Sequence, residues 1–151
     1  MHNTLQSIQS GQNKNFFLIA GPCVVESHEG CRDIAREVKT ICEKLDIPYI
    51  FKASFRKANR SRIDAFSGIG DREALQIIQS VGKEFNLPTT TDIHQDSDAE
   101  LAAQYVDVLQ IPAFLCRQTS LLLAAAATQK VVSVKKGQFM SPEAMEHVVQ
   151  K

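Results

Sequence analysis

The chain is 151 residues long, 44% hydrophobic and 23% charged, and its 17 Lys and Arg balance 17 Asp and Glu to leave no formal net charge. One domain with a real core is expected from this, and the neutral balance removes the bulk electrostatic case for nucleic acid or an anionic membrane as partner. No apolar run approaches the ~20 residues that a membrane helix needs, and the polar segment 1–15 lacks the apolar stretch of a signal peptide. The four cysteines, Cys23, Cys31, Cys42 and Cys116, form no C-x-x-C pair. They suggest no disulfide framework, so a reducing cytoplasm is the expected setting.

Short apolar or β-branched runs alternate with longer amphipathic segments. Residues 16–20 read as a strand. A helix is predicted over 27–45, with Ile34, Val38, Ile41 and Leu45 on its core stripe. Residues 49–54 form the next strand, after Pro48, and a polar loop covers 55–70. Leu75, Ile78, Val81 and Phe85 mark the apolar side of a helix over 71–85. A strand at 89–93 precedes a helix reaching Tyr105, with Ser97 and Glu100 as its capping box. Residues 108–113 are a strand, and Thr119 caps a helix through Ala127. The fifth strand is 131–135, and Ser141, Pro142 and Glu143 start a last helix.

Repeated β-α units with crossovers of this length imply a parallel sheet in a single α/β domain. A five-stranded doubly wound sheet suits the length, whereas a (β/α)8 barrel typically needs ~250 residues. Strands buried on both faces read as nearly continuous apolar runs. Here Lys52, Thr89 to Thr91, Gln110, Ser133 and Lys135 interrupt them, which favours part of a barrel whose interior is polar near its top.

Polar residues collect at the C-terminal ends of the predicted strands, the edge where parallel α/β folds bind ligands. Cys23 follows the first strand. Lys52 and Ser54 lie on the second, Asp92 on the third, Gln110 on the fourth, and Lys135 with Lys136 on the fifth. Lys57, Arg60 and Arg117 fall in loops leaving the same edge. Scattered surface lysines are the ordinary alternative. Lys52 and Lys135 fall inside strands, however, where an unpaired cation is costly, so a site for a small, highly anionic ligand is the better reading.

These stretches carry a specific resemblance. Gly21-Pro22-Cys23-Val24-Val25-Glu26-Ser27 is similar to the motif that opens the barrel of synthases condensing phosphoenolpyruvate with an aldose phosphate. Lys52-Ala53-Ser54-Phe55-Arg56-Lys57-Ala58-Asn59-Arg60-Ser61 resembles the version found in the 3-deoxy-D-manno-octulosonate 8-phosphate synthase family. Thr91-Asp92-Ile93-His94, the run from Leu109 to Thr119, and Val134-Lys135-Lys136-Gly137-Gln138-Phe139 match in the same order. The resemblance covers almost the whole chain from Phe16 on.

It implies a (β/α)8 TIM barrel of the aldolase type, of which this chain covers about five βα units. The implied reaction joins phosphoenolpyruvate, D-arabinose 5-phosphate and water. Lys52, Gln110, Lys135 and the Ala113 N–H are expected to hold phosphoenolpyruvate, with Ser54 and Lys136 beside them. Lys57, Asn59, Arg60, Ser61 and Asp92 are expected to hold arabinose 5-phosphate, with Lys52, Lys57, Asp92 and Lys135 as the catalytic set. Arg117 would reach a sugar-phosphate site across a subunit boundary in a homo-oligomer.

Cys23 marks the family's metal-dependent class, which uses a divalent ion such as iron, zinc or manganese with a later His, Glu and Asp. The alternative for Cys23 is a small buried residue behind a glycine–proline turn. Cys31, Cys42 and Cys116 read as core. His94 reads as support for the site through hydrogen bonds. Because later ligands and βα units are expected beyond Lys151, the chain by itself is expected to be inactive. Two other readings are the sister class using erythrose 4-phosphate, the 3-deoxy-heptulosonate 7-phosphate synthases, and a non-catalytic anion-binding fragment that pairs through open strand edges. The Lys57-Ala58-Asn59-Arg60-Ser61 run argues against the first.

Overall fold

A computed structural model describes residues 2–11 and 16–151. A short helix, α1 (Asn3–Gln9), precedes five parallel strands: β1 (Leu18–Ala20), β2 (Tyr49–Lys52), β3 (Thr89–Asp92), β4 (Val108–Ile111) and β5 (Val131–Val134). Between them run α2 (His28–Lys44), α3 (Asp71–Phe85), α4 (Asp96–Ala103) and α5 (Thr119–Ala127). A 3-10 turn (Glu143–Met145) and α6 (Glu146–Val149) complete the described chain.

The strands lie in sequence order, β1-β2-β3-β4-β5, with every pair parallel. A doubly wound sheet reverses direction at a switch point, and this one does not. Right-handed crossovers that always step the same way place their helices on one face. This is the arrangement of a partial (β/α) barrel.

Alternation along the strands divides the two faces. Phe51, Leu109 and Ile111 are fully buried with Leu75, Ile78, Val81 and Leu121 from the helices. Ile50 and Val108, one residue earlier on their strands, belong to a separate cluster with Leu5 of α1, flanked by Ile8, Ile19 and Val131. Thus α1 plugs the lower part of the inner face, and above it that face turns polar through Lys52, Thr90, Asp92, Gln110 and Ser133. The sequence reading assigned no element to 1–15; Gln12 to Asn15 lie outside the described residues. Leu5→Ala should cost ~2 kcal/mol, the low end for a buried leucine, because a terminal helix relaxes easily. Thermal melting should register this as a drop of several degrees.

Other differences are local. In α2 the core side is Cys31, Ala35 and Cys42, with Val38 packed against it. Ile34, Ile41 and Leu45 are 38%, 54% and 60% exposed and form the opposite flank from His28, Arg32 and Lys39, which bond to Ser80, Glu84 and Phe85 O of α3. The N-cap of α4 is Gln95, boxed with Asp98, rather than Ser97 with Glu100. Gln118 takes the N-cap position of α5 without a side-chain capping bond, and Thr119 Oγ1 accepts from Lys151 Nζ at 2.7 Å. Phe16 and Phe17 precede β1 and are exposed.

Candidate active site

Gly21 ends the first strand with φ 155°, and a Cβ there would meet the Lys52 carbonyl oxygen at 1.9 Å. Only glycine permits this approach, which brings the Gly21-Pro22-Cys23 turn against the end of β2. The neighbouring strand ends build the polar centre. Lys52 Nζ donates to Asp92 Oδ2 at 2.9 Å and to Ser54 Oγ at 3.2 Å. Ser54 Oγ donates to Asp92 Oδ2 at 2.6 Å and also accepts from Lys57 Nζ at 3.2 Å. Gln110 Nε2 donates to Asp92 Oδ1. Five of the predicted site residues therefore form one connected network across β2, β3 and β4.

The register explains the convergence. Lys52 pairs with Thr90, and Asp92 pairs with Gln110, so all three polar side chains point to the inner face at neighbouring levels. Burial alone would raise the Asp92 carboxyl. The Lys52 charge, with hydrogen bonds from Lys52, Ser54 and Gln110, outweighs it and holds the group below the usual carboxylate range. Asp92 is thus a carboxylate at neutral pH, and the two ammonium groups leave the cluster one positive charge in excess. A site of this kind attracts phosphate and carboxylate groups and offers an acceptor for a hydroxyl or water.

The remaining predicted residues surround this centre at different distances. Lys135 follows β5, and its N–H donates to Ile111 O at 3.0 Å. It continues the β5 register, so alternation puts it on the inner face above Ser133, and it is exposed. Lys136 is not brought into the site: its Nζ donates to Gly137 O and Met140 O at 3.0 and 2.9 Å, folding the side chain onto its own loop. Ala113 opens the 3-10 turn Ala113–Leu115, where a backbone N–H lacks a partner in the preceding turn.

Arg60 Nε donates to Phe66 O at 2.8 Å within the exposed loop that also carries Asn59 and Ser61. Arg117 borders a separate cavity of about 380 Å³ with Phe139, Met140, Ser141, His147 and Lys151, and none of the central cluster lines it.

Cys23 is exposed, which removes the small-buried-residue reading of this position. Among the described residues there is no group of three or more His, Cys, Asp or Glu able to hold a metal ion. A single thiolate does not define a divalent site, so the donors present do not by themselves fit a metal, and no chemical step is routed through one. Cys31, Cys42 and Cys116 are buried. Burial, with a smaller push from Glu26, raises the Cys31 thiol to about 11, as suits a core residue.

His94 departs from expectation. Its Nδ1 is buried without a hydrogen-bond partner, 3.8 Å from Asp98 Oδ2. The ring instead packs edge-on to Phe55 at 6.0 Å. Burial lowers its pKa despite the nearby Asp92 and Asp98, so the ring is neutral at pH 7. A residue the sequence reading passed over is Arg56, which bonds Asp71 and Asp98. Its signal was available as one more cation in the loop, but nothing in the sequence showed that it faces away from the cluster.

The profile of the DAHP synthetase I family matches residues 2–151. A protein of Cyanothece sp. named 2-dehydro-3-deoxyphosphooctonate aldolase is 53% identical over 141 residues, covering 93% of this chain and 52% of the relative. Proteins of the same name from Koribacter versatilis and Fusobacterium nucleatum are 53% identical over 135 residues and 50% identical over 145. These alignments cover 89% and 96% of this chain and 49% and 52% of the relatives. The chain therefore spans about half the length of the curated relatives it matches.

Proposed function

Because the chain belongs to the DAHP synthetase I family, we propose that its site serves the condensation of phosphoenolpyruvate with D-arabinose 5-phosphate and water, giving 3-deoxy-D-manno-octulosonate 8-phosphate and inorganic phosphate. The observation that carries this reading is the connected Lys52–Ser54–Lys57–Asp92–Gln110 network at the strand ends of a chain with no net charge. The names of the relatives favour the octulosonate product over the heptulosonate one.

In the reaction, C3 of the enol forms a bond to the aldehyde carbon, and the aldehyde oxygen takes up a proton. A water oxygen bonds to C2, and the bond from C2 to the phosphate oxygen breaks. The water's protons are released, leaving a ketone or its cyclic form and free phosphate. Positive charge develops at C2, so an ionised carboxylate and an aimed water lower the barrier.

Lys52, Gln110, Lys135 and the Ala113 N–H hold phosphoenolpyruvate in this reading. Lys57, Asn59, Arg60 and Ser61 hold the sugar phosphate, with Asp92 accepting from a sugar hydroxyl or the attacking water. Ser54 keeps both ammonium groups in register. Arg117 serves a neighbouring subunit of a homo-oligomer, consistent with its place outside the central cluster. Cys23 supplies one ligand to a divalent metal, the other donors coming from outside the described residues. The barrel in this reading closes to eight βα units, and the setting is the cytoplasm. Lipopolysaccharide precursor synthesis is the use of such a product.

The assignment of Arg60 tests the reading. In an active form of the protein carrying this chain, Arg60→Ala should raise KM for arabinose 5-phosphate by roughly 100-fold while leaving that for phosphoenolpyruvate within about threefold. Arg60→Lys should recover only part of the loss, because an ammonium lacks the bidentate fork. Steady-state phosphate release with each substrate varied in turn measures both constants, and equal effects on the two would remove Arg60 from the sugar-phosphate site.

A further inference from the structure

We propose that Arg56 is a positioning residue that fixes the sugar-phosphate loop by clamping the first turns of two consecutive helices; this rests on the substrate reading above for its kinetic consequence, though not for its geometry. Arg56 Nη1 donates to Asp71 Oδ2 at 2.6 Å, and Nη2 donates to both Asp98 oxygens at 2.8 Å. Asp71 is the first residue of α3, and Asp98 stands in the first turn of α4. The Asp98 side chain is only 3% exposed. It also accepts from the His94 and Gln95 N–H groups at 2.9 and 3.2 Å. One guanidinium therefore joins the capping box of α4 to the start of α3, and its central carbon sits 5.1 Å from the centroid of the fully buried Phe55 ring.

The clamp sets the course of the chain from Lys57 to Ser61. With Arg56 held outward toward the helices, Lys57 turns the other way and its Nζ donates to Ser54 Oγ at 3.2 Å. Lys57 N–H then donates to Ser67 O at 2.7 Å, closing the loop that presents Asn59, Arg60 and Ser61. Phe55 N–H donates to Thr91 Oγ1 at 3.2 Å and pins the loop's base to β3. A fork spanning two carboxylates on different helices suits arginine; a lysine reaches one of them. Both carboxylates lie at helix N-termini, where negative charge is favoured, so the Arg56 side chain has two fixed anchors and the loop inherits them.

The test uses an active form of the protein carrying this chain. Limited trypsin digestion read by mass spectrometry follows cutting at Arg60 and Arg62, and steady-state kinetics follow each substrate. Arg56→Ala should raise cutting at Arg60 and Arg62 about tenfold over cutting elsewhere. It should also raise KM for the aldose phosphate about tenfold while kcat and KM for phosphoenolpyruvate stay within about twofold. Arg56→Lys should fall between the two proteins on both measures, and it serves alone if Arg56→Ala does not fold. Arg32→Ala, which removes a surface pair with Glu84, should change neither.

A loop as protected in both Arg56 variants as in the parent protein overturns the proposal. So does a loosened loop accompanied by equal losses in both KM values and kcat, the pattern of general destabilisation. The proteolysis needs no substrate: if Arg56→Ala exposes Arg60 but arabinose 5-phosphate is never turned over, the substrate reading fails and the clamp stands.

Discussion

Asp92→Asn should reduce turnover about 100- to 1000-fold in an active form of the protein carrying this chain, the range expected when a preorganised electrostatic group is removed from a site. The carboxylate accepts from Lys52, Ser54 and Gln110 at once. An amide offers one acceptor oxygen and turns its NH2 toward a donor, so at least one partner is left unpaired. With the Lys52 and Asp92 side chains only 19% and 11% exposed, breaking the pair should also cost about 3 kcal/mol of stability.

The pH dependence separates the charge from the shape. The folded Asp92 carboxyl is held below its ordinary value, so its contribution is present above the unfolded carboxyl pKa of ~3.9 and is lost as pH falls through the lower folded value. Stability of the parent protein should therefore decline on acidification below about pH 4. Asp92→Asn should start lower and decline less steeply there. Urea melts across that range measure both slopes, and parallel slopes would show that Asp92 carries no net linkage.

How much of this was legible in the sequence varies with the kind of signal. The helix over 71–85 was predicted to the residue, since Leu75, Ile78 and Val81 occupy one stripe and Asn86 ends it in the left-handed conformation. The network of Lys52, Ser54, Asp92 and Gln110 was also legible, because strand alternation carries each to the same face. Helix α2 was harder. It has two apolar flanks, and small residues, Cys31, Ala35 and Cys42, pack the sheet while the larger isoleucines look outward. Hydrophobicity alone favours the larger ones.

Helix α1 was hidden in a polar segment whose apolar anchors among the described residues are Leu5 and Ile8. The cap of α4 was ambiguous because Gln95 with Asp98 and Ser97 with Glu100 both have the right spacing. Lys135 and Lys136, like Arg56 and Lys57, are adjacent cations that point opposite ways. Side-chain parity is lost once a strand becomes a loop, so composition cannot say which of each pair enters the site.

For residues 1–151 expressed by themselves, the expected result is no condensation above background. Among the described residues, strands β1 and β5 each pair on one side only, and unpaired strand edges recruit other chains. The exposed Ile34, Ile41 and Leu45 flank of α2 adds apolar surface on the side away from α3. Lys135 is exposed, so its pairing with a ligand competes with water and is worth ~1 kcal/mol or less per contact. Cys23 belongs to no group of three or more metal donors among the described residues, and zinc or manganese held by fewer ligands would exchange freely. These features act together: an anion site with an exposed cation binds phosphoenolpyruvate weakly, and a loosely held metal positions nothing. Sedimentation velocity should show association that grows with concentration, and metal analysis after gel filtration should show far less than one ion per chain. Phosphate release with both substrates and added manganese or zinc should match a blank lacking arabinose 5-phosphate. Turnover above that blank, from material free of any host synthase, would overturn this expectation and show that these chains assemble a working site.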